Sequence, residues 1–336
     1  MLDLPPSRLS YSGVLDHARA PTAEGRSAPT PWPDDLLRPG DLTCVALEEL
    51  LDLAVSMKRD PSGWIGALAG RTLACFVDPP TTGEAVSVGA AANRLGMLPL
   101  IMPRAELEVA SGEPIDDIAR TFSSLAAALF VDAVPHRTLR RVAAAATVPV
   151  VSARSDQHRP CQVLADLLTL RERFGALEGL AIAFVGNGSD PIAHSLIEGG
   201  ALAGMDVRVA CPPTHRPDTM TCGGADAIAA FHGGQVTVTD DPREAVAGAD
   251  AVYTAGWSYY GSSEPPPRLD AYQVHPPLMT LAQPHAVFLH CLPARRGEEV
   301  TAPVFEGRRS VVWQQVANRV PVKQALLYSL IDAPAG

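Results

Sequence analysis

Short apolar runs alternate with helix-periodic segments along most of the chain. The apolar runs predict strands at residues 72–77, 98–102, 126–131, 148–151, 180–185, 206–210, 235–238, 251–254 and 287–289. Apolar residues at helical spacing predict helices near 84–95, 114–124, 136–146, 160–175 and 314–332. A further helix is predicted after Asp41-Leu42-Thr43, where a side-chain oxygen can cap its first turn.

Strands that alternate with helices in this way are typical of an α/β protein. The pattern predicts two Rossmann-like domains, each a parallel sheet with helices on both faces, joined near residue 155. We divide the chain into an N-terminal extension at 1–36, a first domain at 37–155, a second domain at 156–315 and a C-terminal helix at 316–336. The extension is rich in Pro, Ser and Ala, so regular structure is expected to begin near Asp41.

The composition is that of a globular protein, with 47% hydrophobic and 19% charged residues over 336 positions. The formal net charge of −10 argues against nucleic acid and against an anionic membrane as partners. Only two lysines occur, Lys58 and Lys323, so arginine supplies nearly all of the positive charge.

The six cysteines are scattered, without a C-x-x-C pair or a histidine-rich cluster. Scattered thiols in a chain of this length indicate reduced cysteines rather than a disulfide framework or a zinc site. The sequence contains no apolar stretch of about 20 residues, and its start lacks the features of a secretion signal. These observations predict a cytoplasmic protein without a metal.

Gly186-Asn187-Gly188 follows a predicted strand and opens a predicted helix, which is where a G-x-G-x-x-G loop binds a dinucleotide. The third glycine of that pattern is Pro191 here, and no acidic residue ends the next strand at the expected place. A tight strand-to-helix turn without nucleotide is therefore favoured. An NAD-linked oxidoreductase stays open as an alternative that rests on Gly186 and Gly188 alone.

The stretch His290-Cys291-Leu292-Pro293 follows the last predicted strand. It resembles the His-Cys-Leu-Pro signature of the ornithine carbamoyltransferases, in which this loop holds the amine that attacks carbamoyl phosphate. The resemblance runs from about residue 36 to the end of the chain. It implies the aspartate/ornithine carbamoyltransferase fold, a homotrimer with sites at subunit boundaries, and a cis peptide at Leu292-Pro293.

Two further segments carry the resemblance. Residues 159–162 align with the family's His-Pro-x-Gln. Arg159 occupies the position of the histidine, and Gln162 matches the glutamine. Arg319 matches the family's last functional arginine, which points at the carbamoyl oxygen. The resemblance implies that Gln162 and Arg319 stabilise the developing oxyanion and that Cys291, beside His290, positions the amine.

The acceptor-binding segment departs from the family pattern. Ornithine enzymes carry Asp-x-Trp-x-Ser-Met-Gly here, and the Asp and the Ser meet the amino-acid end of ornithine. This chain has Ala255 before Trp257, followed by Tyr259 and Tyr260. Ser152 replaces the family's asparagine at the domain junction. These substitutions predict an acceptor other than ornithine.

The phosphate-binding residues depart further. The family's Ser-Thr-Arg-Thr-Arg loop lies at a helix N-terminus, where backbone N–H groups and arginines bind the anion. Here the stretch reads Thr81-Thr82-Gly83-Glu84-Ala85. The family's Arg-Thr-x-x-His segment supplies another phosphate-binding arginine, and Asp132 occupies its position here. Of that segment only the histidine, His136, is kept. Loss of three arginines removes on the order of 5–9 kcal/mol of attraction for phosphate.

These residues together predict a divergent carbamoyltransferase-like transferase of amino-acid or specialised metabolism that needs no metal or organic cofactor. Glu84, Glu108 and Asp132 would make its degenerate carbamoyl-phosphate domain acidic, suited to a small amine, amino acid or ureido compound, with Arg159 binding a carboxylate. Carbamoyl phosphate and ornithine are not expected to react in the usual way. The alternative is a catalytically inactive paralogue that acts as a binding or partner subunit.

Overall fold

The computed structural model describes residues 32–77, 82–107, 113–257 and 269–332. Within these ranges the strands form two sheets in which every paired strand is parallel. The first sheet has the order β2-β1-β3-β4, with β1 at Thr72–Phe76, β2 at Leu98–Met102, β3 at Ala128–Val134 and β4 at Val150–Ser155. The second has the order β7-β6-β5-β8-β9, with β5 at Ala181–Val185, β6 at Asp206–Ala210, β7 at Gln235–Thr239, β8 at Ala251–Thr254 and β9 at Val287–His290.

Helices connect successive strands and cover the faces of both sheets. They are α1 (Cys44–Arg59), α2 (Thr82–Arg94), α3 (Ile115–Ser123), α4 (His136–Ala145), α5 (Pro160–Phe174), α6 (Pro191–Leu202), α7 (Thr219–Phe231), α8 (Pro242–Val246), α9 (Pro276–Met279), α10 (Ala302–Phe305) and α11 (Val312–Asp332). None of the helices in the described ranges combines the length and hydropathy that crossing a bilayer requires. The predicted α/β fold is confirmed, because both sheets are parallel and covered by helices.

Chain order within each sheet places the candidate site residues at two matching positions. In the first sheet the chain moves outward from β1 to β2 and then returns to β3 on the other side of β1. In the second sheet it returns in the same way from β7 to β8, beside β5. Crevices form at the carboxyl ends of strands where the winding direction reverses. The site takes residues from the segments that follow β1, β3, β4, β8 and β9, at the carboxyl ends of strands in both sheets, and from α11.

Regular pairing begins earlier than the sequence predicted. Leu36 is fully buried, donates its N–H to the Val150 carbonyl at 2.9 Å and accepts from the Ser152 N–H at 2.8 Å. The expected start near Asp41 was therefore wrong, since an apolar residue five positions earlier already packs on β4. Residues 1–31 of the predicted extension lie outside the described residues.

Candidate active site

The loop after β9 is organised by His290, whose ring is buried. Its Nδ1 accepts a hydrogen bond from the Leu292 N–H at 2.8 Å, so Nε2 carries the proton and faces Glu299 Oε1 at 3.2 Å. The backbone N–H of His290 donates to Gln315 Oε1 at 3.0 Å. Both ring nitrogens are thus used in shaping the loop, and the predicted cis peptide at Leu292-Pro293 is present.

Two arginines converge on Cys291 at the centre of this loop. Arg159 NH1 lies 3.1 Å from the Cys291 Sγ, and Arg319 NH2 donates to the Cys291 carbonyl at 2.8 Å. Burial raises the pKa of the Cys291 thiol to about 11, although Arg159 opposes this shift. The group is therefore a neutral thiol near pH 7, which suits a positioning role and not that of a nucleophile.

Gln162 belongs to a buried network around Asp166 on the same face of α5. The Asp166 carboxylate accepts from Gln162 Nε2 at 2.6 Å, from Gln315 Nε2 at 2.7 Å and from the Tyr253 hydroxyl at 2.9 Å. Burial raises the pKa of Asp166 to about 6, and these hydrogen bonds limit the rise. The network fixes the orientation of the Gln162 amide between α5, α11 and β8.

The first turn of α2 lies against two cations of α11. The Lys323 Nζ contacts Glu84 Oε2 at 2.5 Å, and Arg319 NH1 lies 3.9 Å from Glu84 Oε1. A Cβ on Gly83 would stand only 3.2 Å from Arg319 NH1, so glycine leaves room for the guanidinium. Burial raises the pKa of Glu84, but the charges of Lys323 and Arg319 outweigh burial and lower it to about 2.

Asp132 is also paired with a cation. Its two carboxylate oxygens face Nε and NH2 of Arg154, each at 3.2 Å, because β3 and β4 pair with these residues opposite each other. The predicted acidic pocket is therefore corrected: both described carboxylates that led to it, Glu84 and Asp132, are neutralised by basic side chains from other elements. Burial raises the pKa of Asp132, and the charge of Arg154 limits this rise.

Two other predicted residues carry buried polar atoms that find no partner within the described part of the chain. These atoms are the hydroxyl of Ser152, inside β4, and the indole N–H of Trp257, which follows β8 beside Gly186. His136 begins α4, where its N–H donates to Asp156 at 2.6 Å and its Nδ1 lies 3.2 Å from the Ser155 hydroxyl. Buried polar atoms are nearly always satisfied in folded proteins, so Ser152 and Trp257 are candidate ligand contacts.

Several predicted residues cannot be placed. Thr81, Tyr259, Tyr260 and Glu108 lie outside the described residues, and only the backbone of Thr82, the first residue of α2, is described. The part of the acceptor segment that departs from the family after Trp257 thus stays a prediction.

A helix cap and close packing account for the Gly186-Asn187-Gly188 turn. The Asp190 side chain accepts from the Ile192 N–H at 2.8 Å and caps α6. A Cβ on Gly188 would stand 2.7 Å from the His215 carbonyl oxygen, so close packing accounts for this glycine. In the ranges that the structure describes, no group of three or more His, Cys, Asp or Glu side chains is arranged to hold a metal ion.

The sequence interpretation missed three residues that the fold brings to the site: Lys323, Asp166 and Arg154. Asp166 lies four residues after Gln162 on α5, and Lys323 lies four residues after Arg319 on α11. This spacing puts each pair on one helical face and was a usable signal. Arg154 carried no such signal, because only strand pairing sets it beside Asp132.

The rings of His136, His158 and His194 form a histidine series: His136 meets His158 edge-to-face at a centroid distance of 5.5 Å, and His158 meets His194 in a tilted arrangement at 6.2 Å. Burial, together with a smaller contribution from the charge of Arg38, lowers the pKa of His158 to about 3. The unfolded chain takes up this proton below pH 6.5 and the folded protein does not. Stability is therefore lost as the pH falls from about 6.5 toward 3.

We expect His158 to account for about 2 kcal/mol of the stability lost between pH 7 and pH 5. Chemical denaturation at both pH values should show that His158→Gln removes this part of the loss. The matched variant His215→Gln, outside the histidine series, should keep the full loss. Equal pH dependence in His158→Gln and the unmodified protein would contradict the assignment.

Comparison with known proteins gives a consistent result over both halves of the chain. Residues 34–172 match the carbamoyl-P binding domain of aspartate/ornithine carbamoyltransferase. Residues 178–330 match the Asp/Orn binding domain of the same family.

Individual relatives agree with this match. The ornithine carbamoyltransferase of Listeria innocua is 37% identical over 294 residues, which cover 85% of this chain and 93% of that protein. The ornithine carbamoyltransferase of Methanothermobacter thermautotrophicus is 41% identical over 289 residues, covering 84% of this chain and 94% of that protein. Among solved structures, the ornithine carbamoyltransferase from Pyrococcus furiosus superposes with a TM-score of 0.86 at 34% identity, covering 92% of this chain and 100% of that chain.

These relatives contradict the predicted function. A divergent transferase that avoids carbamoyl phosphate and ornithine, or an inactive paralogue, was expected from the missing loop arginines. Proteins that share 37–41% identity over most of the chain are instead named ornithine carbamoyltransferases. The prediction rested on arginines missing by position and did not consider basic side chains that arrive from other elements, such as Lys323 beside Glu84.

The two domain matches together span residues 34–172 and 178–330, nearly the whole of the described fold. The buried Cys291 loop, its two arginines and the parallel sheets lie within these limits. The chain belongs to the aspartate/ornithine carbamoyltransferase family.

Proposed function

We propose that this protein transfers the carbamoyl group of carbamoyl phosphate to the side-chain amine of ornithine. A new C–N bond forms at the carbonyl carbon, the C–O bond to phosphate breaks, and the amine proton leaves with the departing phosphate. The products are citrulline and inorganic phosphate. The observation that carries the proposal is the convergence of Arg159, Arg319 and the Cys291 loop beside the first turn of α2.

Each part of this arrangement has a chemical use. The Arg319 guanidinium, which donates a hydrogen bond to the Cys291 carbonyl, is placed to stabilise negative charge that develops on the carbamoyl oxygen. The neutral thiol of Cys291 and the carbonyls of its loop can orient an uncharged amine. The Gln162 amide, oriented by Asp166, can hold the carbamoyl group. The backbone N–H groups at the start of α2 favour the phosphate.

A direct assay tests the proposal. The purified protein, supplied with carbamoyl phosphate and ornithine, is expected to form citrulline and phosphate in equal amounts. Ornithine without carbamoyl phosphate should give no product. Absence of citrulline under conditions in which a conventional ornithine carbamoyltransferase is active would overturn the proposal.

The proposal includes a homotrimer in the cytoplasm. The edge strand β2 exposes Leu98, Leu100 and Ile101, with Val86 of α2 also exposed. An exposed apolar sheet edge is a surface that soluble proteins normally cover. Light scattering should give three times the 35.4 kDa chain mass. All six cysteines are free thiols, which suits a reducing compartment.

A further inference from the structure

Lys323 is a fully buried cation at the edge of the site. It is 1% exposed, and its Nζ contacts Glu84 Oε2 and the Ser87 hydroxyl, each at 2.5 Å. The ammonium also lies 5.4 Å from the centre of the Phe130 ring, which favours a cation. The only other lysine of the chain, Lys58, is partly exposed and pairs with Glu172.

A buried ion pair of this kind needs a reason other than stability. Removing two charges from water costs several kcal/mol for each ion, and an apolar pair of similar volume is often as stable. The pair also stands at a particular place. Glu84 is in the first turn of α2, where the helix dipole and unpaired N–H groups attract an anion.

Arg319 supplies the second, independent observation. Its side chain is 10% exposed, and its Nε has no hydrogen-bond partner among the residues that the structure describes. Its NH1 lies beside Gly83, the residue before Glu84, 3.2 Å from the position that a Cβ would occupy. A buried guanidinium with an unused donor beside a helix N-terminus points to an anionic ligand at that place.

We propose that Lys323 is a specificity-determining residue for the donor: together with Arg319 it supplies, at the first turn of α2, the positive charge that binds the donor's phosphate. The Glu84 carboxylate holds both cations in position and competes with the phosphate for them. The inference rests on the proposed function, in which carbamoyl phosphate is the donor. It explains how this chain binds a phosphate without arginines in the loop at 81–85.

Because Glu84 and phosphate compete for Lys323, replacing Lys323 and replacing Glu84 should change the affinity for phosphate in opposite directions. Lys323→Met removes one charge-assisted contact and should weaken binding of carbamoyl phosphate and inorganic phosphate at least about tenfold. Glu84→Gln removes the competing charge while keeping an acceptor for Lys323, and should strengthen binding about fivefold or more. Calorimetry with both ligands measures these changes. Lys58→Met is the matched lysine control and should leave both affinities unchanged.

The two lysines also allow a measurement that needs no variant. Protein labelled with ¹⁵N-lysine has two side-chain signals, and titration with inorganic phosphate should shift that of Lys323 and not that of Lys58. If Lys323→Met does not fold, this titration and Glu84→Gln still decide the matter. An unmoved Lys323 signal at saturating phosphate would overturn the inference.

Steady-state kinetics separate this role from a purely structural one. Lys323→Met should raise the KM for carbamoyl phosphate about tenfold or more while the KM for ornithine stays constant. An unchanged KM for carbamoyl phosphate, with citrulline still formed, would overturn the inference and leave the proposed function standing. A phosphate-dependent Lys323 signal without any citrulline formation would overturn the proposed function and support Lys323 as a phosphate ligand.

Discussion

Replacement of Arg319 by methionine is expected to lower kcat/KM for citrulline formation about 100- to 1,000-fold. Removal of a single donor aimed at a developing oxyanion costs this much in other enzymes. Two contacts hold the Arg319 guanidinium in place: NH2 donates to the Cys291 carbonyl, and NH1 lies near the Glu84 carboxylate. Methionine keeps the length of the side chain and removes its charge and all its donors. Initial rates at varied carbamoyl phosphate and ornithine measure the effect.

The matched control is Arg296→Met. Arg296 pairs with Glu306 at the protein surface, outside the Cys291 loop contacts, and exposed ion pairs of this type contribute little. Its kcat/KM should stay within a factor of about two. If Arg319→Met lowers kcat/KM no more than Arg296→Met does, Arg319 does not take part in catalysis.

Replacement of Asp166 by alanine is expected to lower the free energy of unfolding by about 3–5 kcal/mol. Asp166 is fully buried and is the shared acceptor for Gln162, Gln315 and Tyr253. Alanine would leave three buried donors without a partner and a cavity between α5, α11 and β8. Chemical denaturation followed by fluorescence and circular dichroism measures the change.

Two further variants define the cause of this loss. Asp226→Ala replaces an exposed aspartate of α7 and should change stability by less than about 0.5 kcal/mol. Asp166→Asn keeps one acceptor oxygen and fills the same volume, so its loss should lie between those of the two alanine variants. A loss in Asp166→Asn equal to that in Asp166→Ala would mean that charge, and not the number of acceptors, matters.

Local patterns explain why most of the architecture could be predicted. The nine predicted strands correspond to β1–β9, and the last two helices predicted, at 160–175 and 314–332, correspond closely to α5 and α11. Periodicity within a segment depends on neighbouring residues alone, and the buried face of each element repeats at its own period. Helix α7 was not predicted, because its Ala- and Gly-rich sequence lacks a clear apolar stripe.

The charge balance of the site could not be predicted in the same way. Glu84 and Lys323 are 239 residues apart, and Asp132 meets Arg154 only through the register of β3 and β4. A sequence shows which charges exist, whereas the fold decides which of them are neighbours. The motif around Cys291 indicated the family correctly, and the degenerate loop at 81–85 led to the wrong function.

At the start of α11 the number of residues matters as much as their identity, because side chains further along the helix contact several other elements. Gln315, Asn318 and Arg319 reach toward α5 and the Cys291 loop, and Lys323 reaches toward α2. Deleting one residue from 312–314, in the first turn of the helix, would turn every one of these side chains by about 100° around the helix axis relative to the chain before it. All four connections would then be lost together. Single side chains along this helix can therefore be exchanged one at a time, but an insertion or deletion at its start has no single compensating substitution.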